Sequence, residues 1–459
     1  MAFNKSKMVS GFLNSDNMAL ALDHYQLTMA GAYYTQNLTD LHATFNLFVR
    51  KLPKNRNFLI AAGLEQCLHY LENIHFLDDH IEWLRKKPEF EHVKPSFFDE
   101  YLPNFRFTGE VRAIPEGTVV FPNEPILEVT APIIEAQIVE TFLLSKIVGQ
   151  TTIASKASRV VHAANGRPVI DFGMRRAHDP QAAVFASRAC YIGGCEKTSN
   201  DLAGYLWDIP VTGTMAHSFI QVYDSEYSAF QDYVKVYPTT FTALIDTYDT
   251  IYGTLIASKF QENLLSVRID SGDLLENSFA VRSTLDKERC FSTKIFVSSD
   301  LNEYKIKDLM EKNAPIDAFG VGTEMIVSRD EPTLSAVYKL VDFNNEPKIK
   351  LSQGKITYPG KKSLHRFIYE DQQYDIIGIK GEEFETKDLL QQVMINGKSL
   401  ISPPILKDVR DYSMKQVSQL HLKYRNISKS TPYKVNISPK LKKLTEKLKD
   451  EWKSKMGKM

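Results

Sequence analysis

The chain has 459 residues, of which 43% are hydrophobic and 24% charged, and its 56 Lys and Arg side chains balance its 56 Asp and Glu. This composition is typical of a globular protein with two or three domains, and it provides no net field for nucleic acid or a membrane surface. No apolar run approaches the ~20 residues that span a bilayer. The N-terminus lacks the apolar core of a secretory signal, and four scattered cysteines make no disulfide framework, so we expect free thiols in a cytoplasmic protein.

Residues 1–145 are predicted to form an N-terminal α+β subdomain. Apolar residues at helical spacing predict helices over 20–34 and 58–74 and a surface helix over 81–87, and an alternating pattern predicts a strand over 43–50. A stretch rich in Pro and Gly follows, which is typical of short strands and turns. A long helix over 133–164 leads into the next part of the chain.

Between about residues 168 and 324 a short apolar run that ends in a small polar cluster recurs seven times. The clusters are Asp171-Phe172-Gly173, Glu196-Lys197-Thr198-Ser199, Thr212-Gly213-Thr214, Asp246-Thr247-Tyr248, Arg268-Ile269-Asp270-Ser271-Gly272-Asp273, Ser298-Ser299-Asp300 and Gly320-Val321-Gly322-Thr323. Strands buried on both faces have such apolar runs, and parallel α/β sheets place their sites at the carboxyl ends of the strands. We therefore predict an α/β enzyme with an irregular parallel α/β barrel over 146–330.

The remaining segment, 331–459, is predicted to return to the N-terminal subdomain. Runs rich in Val, Ile and Tyr over 336–342, 348–356 and 375–379 indicate antiparallel strands. A basic helix over 440–458 closes the chain with a narrow apolar stripe. Such a helix either lies on a membrane or packs on its own protein, and the acidic residues within it favour packing.

Two clusters carry arginines suited to an anionic ligand. Arg175 and Arg176, with His178 just beyond, could bind phosphate or carboxylate in bidentate fashion, or could form salt bridges to neighbouring helices. Arg268 and Asp270 project to the same side of a strand. That pair suits an anionic substrate beside a sugar hydroxyl or a Mg²⁺ ion, and its structural alternative is a buried ion pair that neutralises itself.

A histidine and a glycine-rich turn complete the candidate site. His217 could be a general base, a metal ligand, a nucleophile or a structural residue, and Asp246 at the next strand end favours an oriented base or nucleophile. The amides of Gly320-Val321-Gly322-Thr323 could form an anion nest at a helix start, which alone is a weak signal. A Walker phosphate loop and a dinucleotide-binding glycine motif are both absent.

Taken together, five ordered segments over about two thirds of the chain closely resemble the nicotinate phosphoribosyltransferases, type II phosphoribosyltransferases of NAD salvage. The matching segments are Leu22-Asp23-His24-Tyr25-Gln26-Leu27-Thr28-Met29, Asp171-Phe172-Gly173-Met174-Arg175-Arg176-Ala177-His178, Gly213-Thr214-Met215-Ala216-His217-Ser218-Phe219, Val267-Arg268-Ile269-Asp270-Ser271-Gly272-Asp273-Leu274 and Phe319-Gly320-Val321-Gly322-Thr323.

The resemblance implies a reaction and its partners. Nicotinate and phosphoribosyl pyrophosphate would give nicotinate mononucleotide and pyrophosphate, coupled to ATP hydrolysis through a phosphohistidine, which makes the enzyme a ligase. Mg²⁺ would act on the pyrophosphate, with no protein ligand assigned to it directly. The resemblance also implies a homodimer whose active site lies at the subunit interface.

The resemblance further implies roles for residues of the nicotinate pocket. The pyridine ring would stack between Phe172 and the partner subunit's Tyr25. Arg175 and Arg268 would bind the nicotinate carboxylate or a neighbouring phosphate, and Thr214 would line the pocket.

The other implied roles concern phosphoryl groups and the sugar. His217 would be phosphorylated by ATP and oriented by Asp246. The residues expected at the phosphoribosyl pyrophosphate are Asp270 on the ribose or its metal, Ser299 and Asp300 on the phosphate floor, and Gly322 and Thr323 on the 5′-phosphate.

Three alternatives remain open at the level of the sequence. The amide-using relative, nicotinamide phosphoribosyltransferase, carries an acidic residue near the position of Thr198-Ser199-Asn200, which is neutral here, although Glu196 lies close. An aldolase or isomerase of sugar phosphates would need a lysine or a carboxylate pair at a strand end, and only Lys197 qualifies. A metabolite-binding protein without catalysis would bind ligand and form no product.

Overall fold

The computed structural model describes residues 12–351, 357–370 and 372–456. The helices in chain order are α1 (His24–Thr35), α2 (Leu64–Asn73), α3 (Asp78–Arg85), α4 (Ile133–Ile138), α5 (Glu140–Ala163), α6 (Pro180–Ile192), α7 (Asp201–Trp207), α8 (His217–Gln221), α9 (Glu226–Val236), α10 (Thr250–Ser258), α11 (Leu274–Lys287), α12 (Glu303–Glu311), α13 (Thr323–Ile326), α14 (Leu406–Gln419), α15 (Leu422–Arg425) and α16 (Pro439–Met456).

The strands in chain order are β1 (His42–Val49), β2 (Leu59–Ile60), β3 (Glu110–Ala113), β4 (Val119–Val120), β5 (Pro125–Pro132), β6 (Val169–Asp171), β7 (Lys197–Thr198), β8 (Thr242–Leu244), β9 (Ser266–Ile269), β10 (Lys294–Val297), β11 (Ala318–Val321), β12 (Ala336–Phe343), β13 (Glu346–Pro347), β14 (Lys362–Ile368), β15 (Gln373–Ile379), β16 (Gln391–Ile395), β17 (Lys398–Ser399) and β18 (Lys434–Ile437).

A six-stranded parallel sheet forms the centre of the molecule, in the order β7-β6-β11-β10-β9-β8, and curls into a half-barrel. Its strands are joined by helices, with α10, α11 and α12 connecting β8 through β11 in turn. The strands are buried on both faces, which explains why they appear as apolar runs in the sequence. The predicted α/β class is confirmed, and six of the seven predicted strand ends follow strands of this sheet.

The third predicted strand end follows no strand. Before Thr212-Gly213-Thr214 the structure has one parallel bridge, between Val211 and Thr198. The Thr198 N–H donates to Pro210 O and the Thr212 N–H donates to Thr198 O, but Pro210 has no N–H to extend this ladder and Val211 is half exposed, so the pairing stops at one bridge. Within the described residues the sheet therefore keeps two edges instead of closing.

A seven-stranded antiparallel sheet combines both ends of the chain, in the order β13-β12-β1-β5-β3-β16-β17. Strand β12 pairs with β1 over seven residues of each strand, from Ala43 opposite Phe343 to Val49 opposite Ala336. This pairing confirms that strands after the barrel join the N-terminal part. The boundaries at 145/146 and 330/331 stay a prediction.

The last helix packs on its own chain, as predicted. The side chain of Leu441 on α16 is fully buried in the core that contains β1, β5 and α2. A small sheet of β14, β15 and β18 lies next to this helix. No helix in the described ranges is both long enough and apolar enough to cross a bilayer.

Three predicted elements need correction. The helix expected over 58–74 begins only at Leu64, because Leu59 and Ile60 pair with β4 and Gly63 has a left-handed φ of 103°. The predicted surface helix over 81–87 is α3, whose Ile81 and Leu84 are buried. Of the strand expected over 348–356, residues 352–356 lie outside the described ranges, and the strand found nearby is β13.

Candidate active site

A cavity of about 900 Å³ opens at the carboxyl ends of the parallel strands. Residues from four of the predicted clusters or the segments just after them line it, together with Leu244 of β8. They are Phe172, Met174, Arg175, Ala177, His178, Asp179, Pro180, Ser199, Gly213, Thr214, Met215, Ala216, His217, Ser218, Leu244, Arg268 and Asp270. The structure thus brings together six predicted site residues, namely Phe172, Arg175, Thr214, His217, Arg268 and Asp270.

Arg268, at the end of β9, contacts several other residues of the predicted clusters. Its Nε donates to Ser298 Oγ at 2.8 Å, and one terminal nitrogen donates to Thr214 Oγ1 at 3.0 Å. The other terminal nitrogen lies 2.9 Å from Asp270 Oδ1. Since these partners come from different strand ends, they fix the planar guanidinium in one orientation.

The ring of Phe172 lies against this guanidinium, with the Arg268 Cζ 5.5 Å from the ring centroid. Phe172 follows β6, and its ring meets Phe296 of β10 edge to face at 5.5 Å. A Cβ on Gly320 would come within 2.8 Å of both rings. Glycine at this position therefore leaves the space that Phe172 occupies.

His217, the first residue of α8, contacts two neighbouring loops. Its Nδ1 lies 3.1 Å from Thr247 Oγ1, and its Nε2 lies 3.8 Å from Asp270 Oδ2. The predicted direct orientation of His217 by Asp246 is not found among the described residues. The physical reason is that the Asp246 carboxylate points to the β9 loop, where its Oδ2 accepts from the Asp270 N–H at 2.8 Å and from Ser271 Oγ at 2.6 Å.

Asp246 therefore acts on the site through the loop that carries Asp270. Its second oxygen, Oδ1, is buried without a hydrogen-bond partner in the described part of the chain. This orphaned oxygen and Asp270 Oδ2 are carboxylate oxygens of adjacent strand ends, and Mg²⁺ prefers one or two carboxylates plus water and phosphate oxygens. The residues present fit such an ion, and the described ranges contain no group of three or more His, Cys, Asp or Glu that could hold a metal alone.

A buried carboxylate supports the floor of the cavity. Asp171 accepts hydrogen bonds from Ser187 Oγ, Thr198 Oγ1 and the Gly173 N–H, all between 2.7 and 2.8 Å. Complete burial raises the pKa of the Asp171 carboxyl, and these three hydrogen bonds oppose the rise. Asp171 of the first cluster is thus hydrogen-bonded to Thr198 of the second cluster.

Arg175 lies on the open side of the cavity. It belongs to a 3-10 turn, Met174–Arg176, and is exposed. Its guanidinium has no carboxylate partner among the described residues, so the predicted alternative of a salt bridge between helices is not observed. An exposed guanidinium at a cavity rim remains available to an anion.

Six predicted site residues do not line the cavity: Tyr25, Asp246, Ser299, Asp300, Gly322 and Thr323. Tyr25 lies on α1 and is 47% exposed. Ser299 has a φ of 133°, which is strained for a residue with a side chain. Gly322 precedes the four-residue helix α13, whose first residue is Thr323.

Sequence reasoning missed the roles of Ser298 and Thr247. Ser298 donates to Asp270 Oδ1 and accepts from Arg268, while Thr247 contacts the imidazole. Alternation along β10 could have identified Ser298, because it shares a face with Phe296 two residues earlier. Thr247 lies in a loop after β8 and carries no comparable signal.

The fold and the cavity define a class before any relative is considered. Parallel α/β sheets bind ligands at the carboxyl edge, and this edge presents two arginines, two aspartates and two histidines. The class is an α/β enzyme for an anionic substrate. A strand-end lysine is not part of this arrangement, because Lys197 is exposed and lies outside the lining residues.

Comparison with known proteins then gives the family. Residues 20–148 match the nicotinate phosphoribosyltransferase N-terminal domain and residues 337–445 match the C-terminal domain. The chain is 42% identical over 417 residues to nicotinate phosphoribosyltransferase pncB2 of Mycobacterium tuberculosis (89% of each chain), and 35% identical over 462 residues to nicotinate phosphoribosyltransferase of Bacillus subtilis (92% of this chain, 93% of that one). The chain belongs to the nicotinate phosphoribosyltransferase family.

A solved structure agrees with this assignment. The crystal structure of human nicotinic acid phosphoribosyltransferase superposes with a TM-score of 0.82 at 25% identity, covering 93% of this chain and 99% of that one. Because this superposition covers almost all of both chains, the similarity includes the N-terminal part and the C-terminal strands as well as the half-barrel.

Proposed function

We propose that this protein joins nicotinate to phosphoribosyl pyrophosphate, forming nicotinate mononucleotide and pyrophosphate, in NAD biosynthesis. The observation that carries the proposal is the fixed guanidinium of Arg268 beside the Phe172 ring, in one cavity with His217 and Asp270. A planar aromatic acid needs both a ring face and a cation at its carboxylate. The geometry suits a planar aromatic acid, and the names of the family's members indicate that this acid is nicotinate.

Nicotinate would lie on the Phe172 ring with its carboxylate toward Arg268 or Arg175. The second cluster carries no charge at Thr198-Ser199-Asn200, and Thr198 Oγ1 already donates to Asp171. An acidic group there would repel a carboxylate and accept from an amide, so its absence favours nicotinate over nicotinamide. Glu196, the nearest acid in that cluster, does not line the cavity.

The reaction is a displacement at the anomeric carbon of the ribose. The pyridine nitrogen forms a bond to this carbon as the bond to the pyrophosphate oxygen breaks, and the pyrophosphate leaves with the electron pair. The transition state has cationic sugar character, so it needs an aligned ring and a neutralised leaving group more than a strong base. Arg268 and Phe172 align the ring, and the carboxylate of Asp270 lies on the same side of β9, where it can contact the ribose.

We further propose that Mg²⁺ is the metal of this reaction, held by Asp246 and Asp270 together with substrate oxygens. The ion neutralises charge on the leaving pyrophosphate when bound. Ser299, Asp300, Gly322 and Thr323 follow β10 and β11 at the same edge of the sheet. We assign them to the phosphates of phosphoribosyl pyrophosphate, as the resemblance implies.

We propose that ATP phosphorylates His217. In the tautomer in which Nδ1–H donates to Thr247 Oγ1, Nε2 has the lone pair that attacks the γ-phosphorus, the bond to the ADP oxygen breaks, and the imidazole loses its Nδ1 proton. Water later attacks the same phosphorus and releases phosphate and free imidazole. Between these steps His217 carries a fixed dianion near Asp270, which would organise the metal and the pyrophosphate.

We also propose that the enzyme is a homodimer in the cytoplasm. In one chain Tyr25 lies outside the cavity that contains Phe172, so a second aromatic wall at the ring requires another copy. All four cysteines are buried and unpaired, which suits a reducing compartment.

One incubation tests the reaction and its coupling together. The protein is mixed with nicotinate, phosphoribosyl pyrophosphate, Mg²⁺ and ATP labelled on the γ-phosphate, and both nicotinate mononucleotide and protein-bound label are followed. We expect product with an equal amount of pyrophosphate, and an acid-labile phosphate that vanishes in His217→Ala. His178→Ala is the matched control, since His178 lines the same cavity and should retain the label.

A different result would contradict each part of the proposal. Absence of nicotinate mononucleotide would refute the proposed reaction. Label that survives in His217→Ala would refute the assigned phosphohistidine and leave the transfer reaction standing.

A further inference from the structure

A second cavity, of about 780 Å³, lies away from the strand ends. It is enclosed by α2, α6, α7, the hairpin of β16 and β17, and the start of α14. None of its lining residues belongs to the proposed active site. Its volume lies in the range that holds drug-sized ligands.

The inner wall of the second cavity is apolar. Leu64 and Leu68 of α2, Val393 of β16 and Val409 of α14 are all buried and face this space. Exposed Leu206 and Ile401 stand at its edge. Removing an apolar body from water against such walls is favourable at roughly 25 cal/mol per Å².

Two carboxylates in the interior share one buried guanidinium as their partner. Arg188 is fully buried and donates to Glu65 at 2.6 Å and to Glu116 at 2.7 and 2.9 Å. Burial is the largest influence and acts to raise the pKa of Glu116, but the charge of Arg188 together with hydrogen bonds from Arg188 and from the Gly63 and Leu64 N–H groups holds that pKa below its usual value. The face of Trp207 is also taken, because the Arg188 Cζ lies 5.5 Å from its ring centroid.

Two further carboxylates lie among the exposed lining residues. Glu72 accepts from the Ser399 N–H at 2.7 Å through Oε1 alone. The Asp408 carboxylate takes part in no hydrogen bond or salt bridge in the described part of the chain, and its charge acts on the adjacent Lys407. Both side chains are exposed. The lining carries four carboxylates, those of Glu65, Glu72, Glu116 and Asp408, against the guanidinium of Arg188 and the ammonium of Lys407, so its net charge is negative.

We propose that the second cavity is a binding site for a small amphipathic cation. The apolar body of the ligand lies against Leu64, Leu68 and Val393, and its ammonium group lies between Glu72 and Asp408. Arg188 already contacts the interior carboxylates and the Trp207 ring, so we do not assign the ammonium group to them. This assignment is independent of the reaction proposed for the first cavity.

Trp207 gives a direct readout, because it is the one tryptophan of three that lines the second cavity. In a Trp83→Phe/Trp452→Phe background, its emission is titrated with adamantylmethylammonium, adamantylmethanol and adamantanecarboxylate, which share one apolar body. We expect saturable binding of the cation at least ten-fold tighter than of the alcohol or the carboxylate. Saturating nicotinate should leave the titration unchanged.

A charge variant with a matched control isolates the mouth. Glu72→Gln/Asp408→Asn should abolish the ten-fold preference and keep binding of the alcohol, whereas Glu262→Gln/Glu288→Gln, two exposed acids elsewhere, should keep the preference. Any of four results would overturn the proposal. These are equal binding of the three probes, a preference that persists in Glu72→Gln/Asp408→Asn, displacement by nicotinate, and the absence of saturable binding because a second copy covers the cavity.

Discussion

Arg268 shows how single residues make this site specific. Its guanidinium donates to Ser298 and Thr214 and pairs with Asp270, so three of the seven predicted clusters meet on one side chain. The side chain is 13% exposed, and its face lies toward Phe172. Because these bonds exist before any ligand binds, little reorganisation remains when an anion arrives.

Glu226 is a residue that the proposed reaction does not explain. It is the first residue of α9, it is buried, and neither carboxylate oxygen has a partner among the described residues. Burial, helped by the nearby charge of Asp249, raises the pKa of Glu226 to about 7. The folded protein therefore holds this proton between about pH 4.5 and 7 while the unfolded chain releases it, so this group makes stability fall as the pH rises through that window.

We predict that Glu226→Gln stabilises the protein above pH 7, where the buried carboxylate is charged, by roughly 1 to 3 kcal/mol. At pH 4 both states of the wild type hold the proton, so the two proteins should unfold alike. Urea unfolding at pH 4, 6 and 8 measures the difference, with Glu262→Gln as an exposed control. A difference that is independent of pH would contradict this account of Glu226.

At the scale of the element, the register of each strand decides which side chains reach the cavity. Strand β9 directs Arg268 and Asp270 to one face, and β10 directs Phe296 and Ser298 to the same side of the sheet. Gly320 of β11 faces Phe172 and Phe296 and leaves room for both rings. One glycine in a strand thus determines where the aromatic wall lies.

We predict that Gly320→Ala destabilises the protein by about 1 to 3 kcal/mol through overpacking, and raises the KM for nicotinate at least ten-fold because Phe172 must move. Gly149→Ala is the matched control, since Gly149 is exposed in the middle of α5 with open space around it, and alanine there should stabilise by about 1 kcal/mol. Thermal unfolding and steady-state kinetics measure both effects. Unchanged stability and KM in Gly320→Ala would contradict the packing argument.

The elements also show what the sequence could and could not predict. The apolar runs of β8 to β11 were readable because both faces of these strands are buried. Strand β2 has only two residues, which are too few to show the alternating pattern of a strand. The sequence therefore predicts one helix that includes both β2 and α2. The contacts of Ser298 with Arg268 and Asp270 were not predicted, and the role of Ser299 at the phosphates stays a prediction.

Long-range contacts explain why the role of Asp246 could not be predicted. Its partners lie on the loop after β9, 24 and 25 residues away, and the loop geometry that aims the carboxylate there leaves no mark in the sequence. Thr247, the adjacent residue, takes the place at His217. The predicted strand end is therefore correct, but the side chain there that contacts His217 is Thr247 and not Asp246.

At the scale of the whole molecule, α5 connects the N-terminal part to the half-barrel. Lys156 on this helix is fully buried and contacts Glu303 of α12 at 2.6 Å and Asp330 at 2.9 Å. Arg56, from the N-terminal part, pairs with the same Asp330 at 2.8 Å. The Lys156–Glu303 pair is buried on both sides, and breaking a buried pair strongly destabilises a protein, so this pair holds the two parts in one orientation.

Tyr25 is the predicted link between subunits. It is 47% exposed on α1, and burial together with the charge of Glu140 raises the pKa of Tyr25 to about 12, so the phenol stays neutral at physiological pH. A neutral, exposed aromatic side chain is suited to stack on a ring held by the partner subunit.

We predict that Tyr25→Ala and Phe172→Ala are each inactive and that mixing them restores activity. If the site is shared, half of the reassorted dimers are mixed, and each contains one intact site, so recovery should reach about a quarter of the wild-type rate. The assay is nicotinate mononucleotide formation after subunit exchange, with sedimentation as the control for dimers. Failure to recover, with both variants dimeric, would contradict a shared site.

The central claim is that the first cavity is built for a planar carboxylate and not for its amide. The most direct test is a competition in one tube, with equal concentrations of nicotinate and nicotinamide, phosphoribosyl pyrophosphate, Mg²⁺ and ATP, in which both mononucleotides are quantified. With Arg268 beside the Phe172 ring, Arg175 at the cavity rim and a neutral Thr198-Ser199-Asn200, we predict a preference for nicotinate of at least about 100-fold. Nicotinamide mononucleotide formed at a comparable rate, or neither product, would contradict the claim.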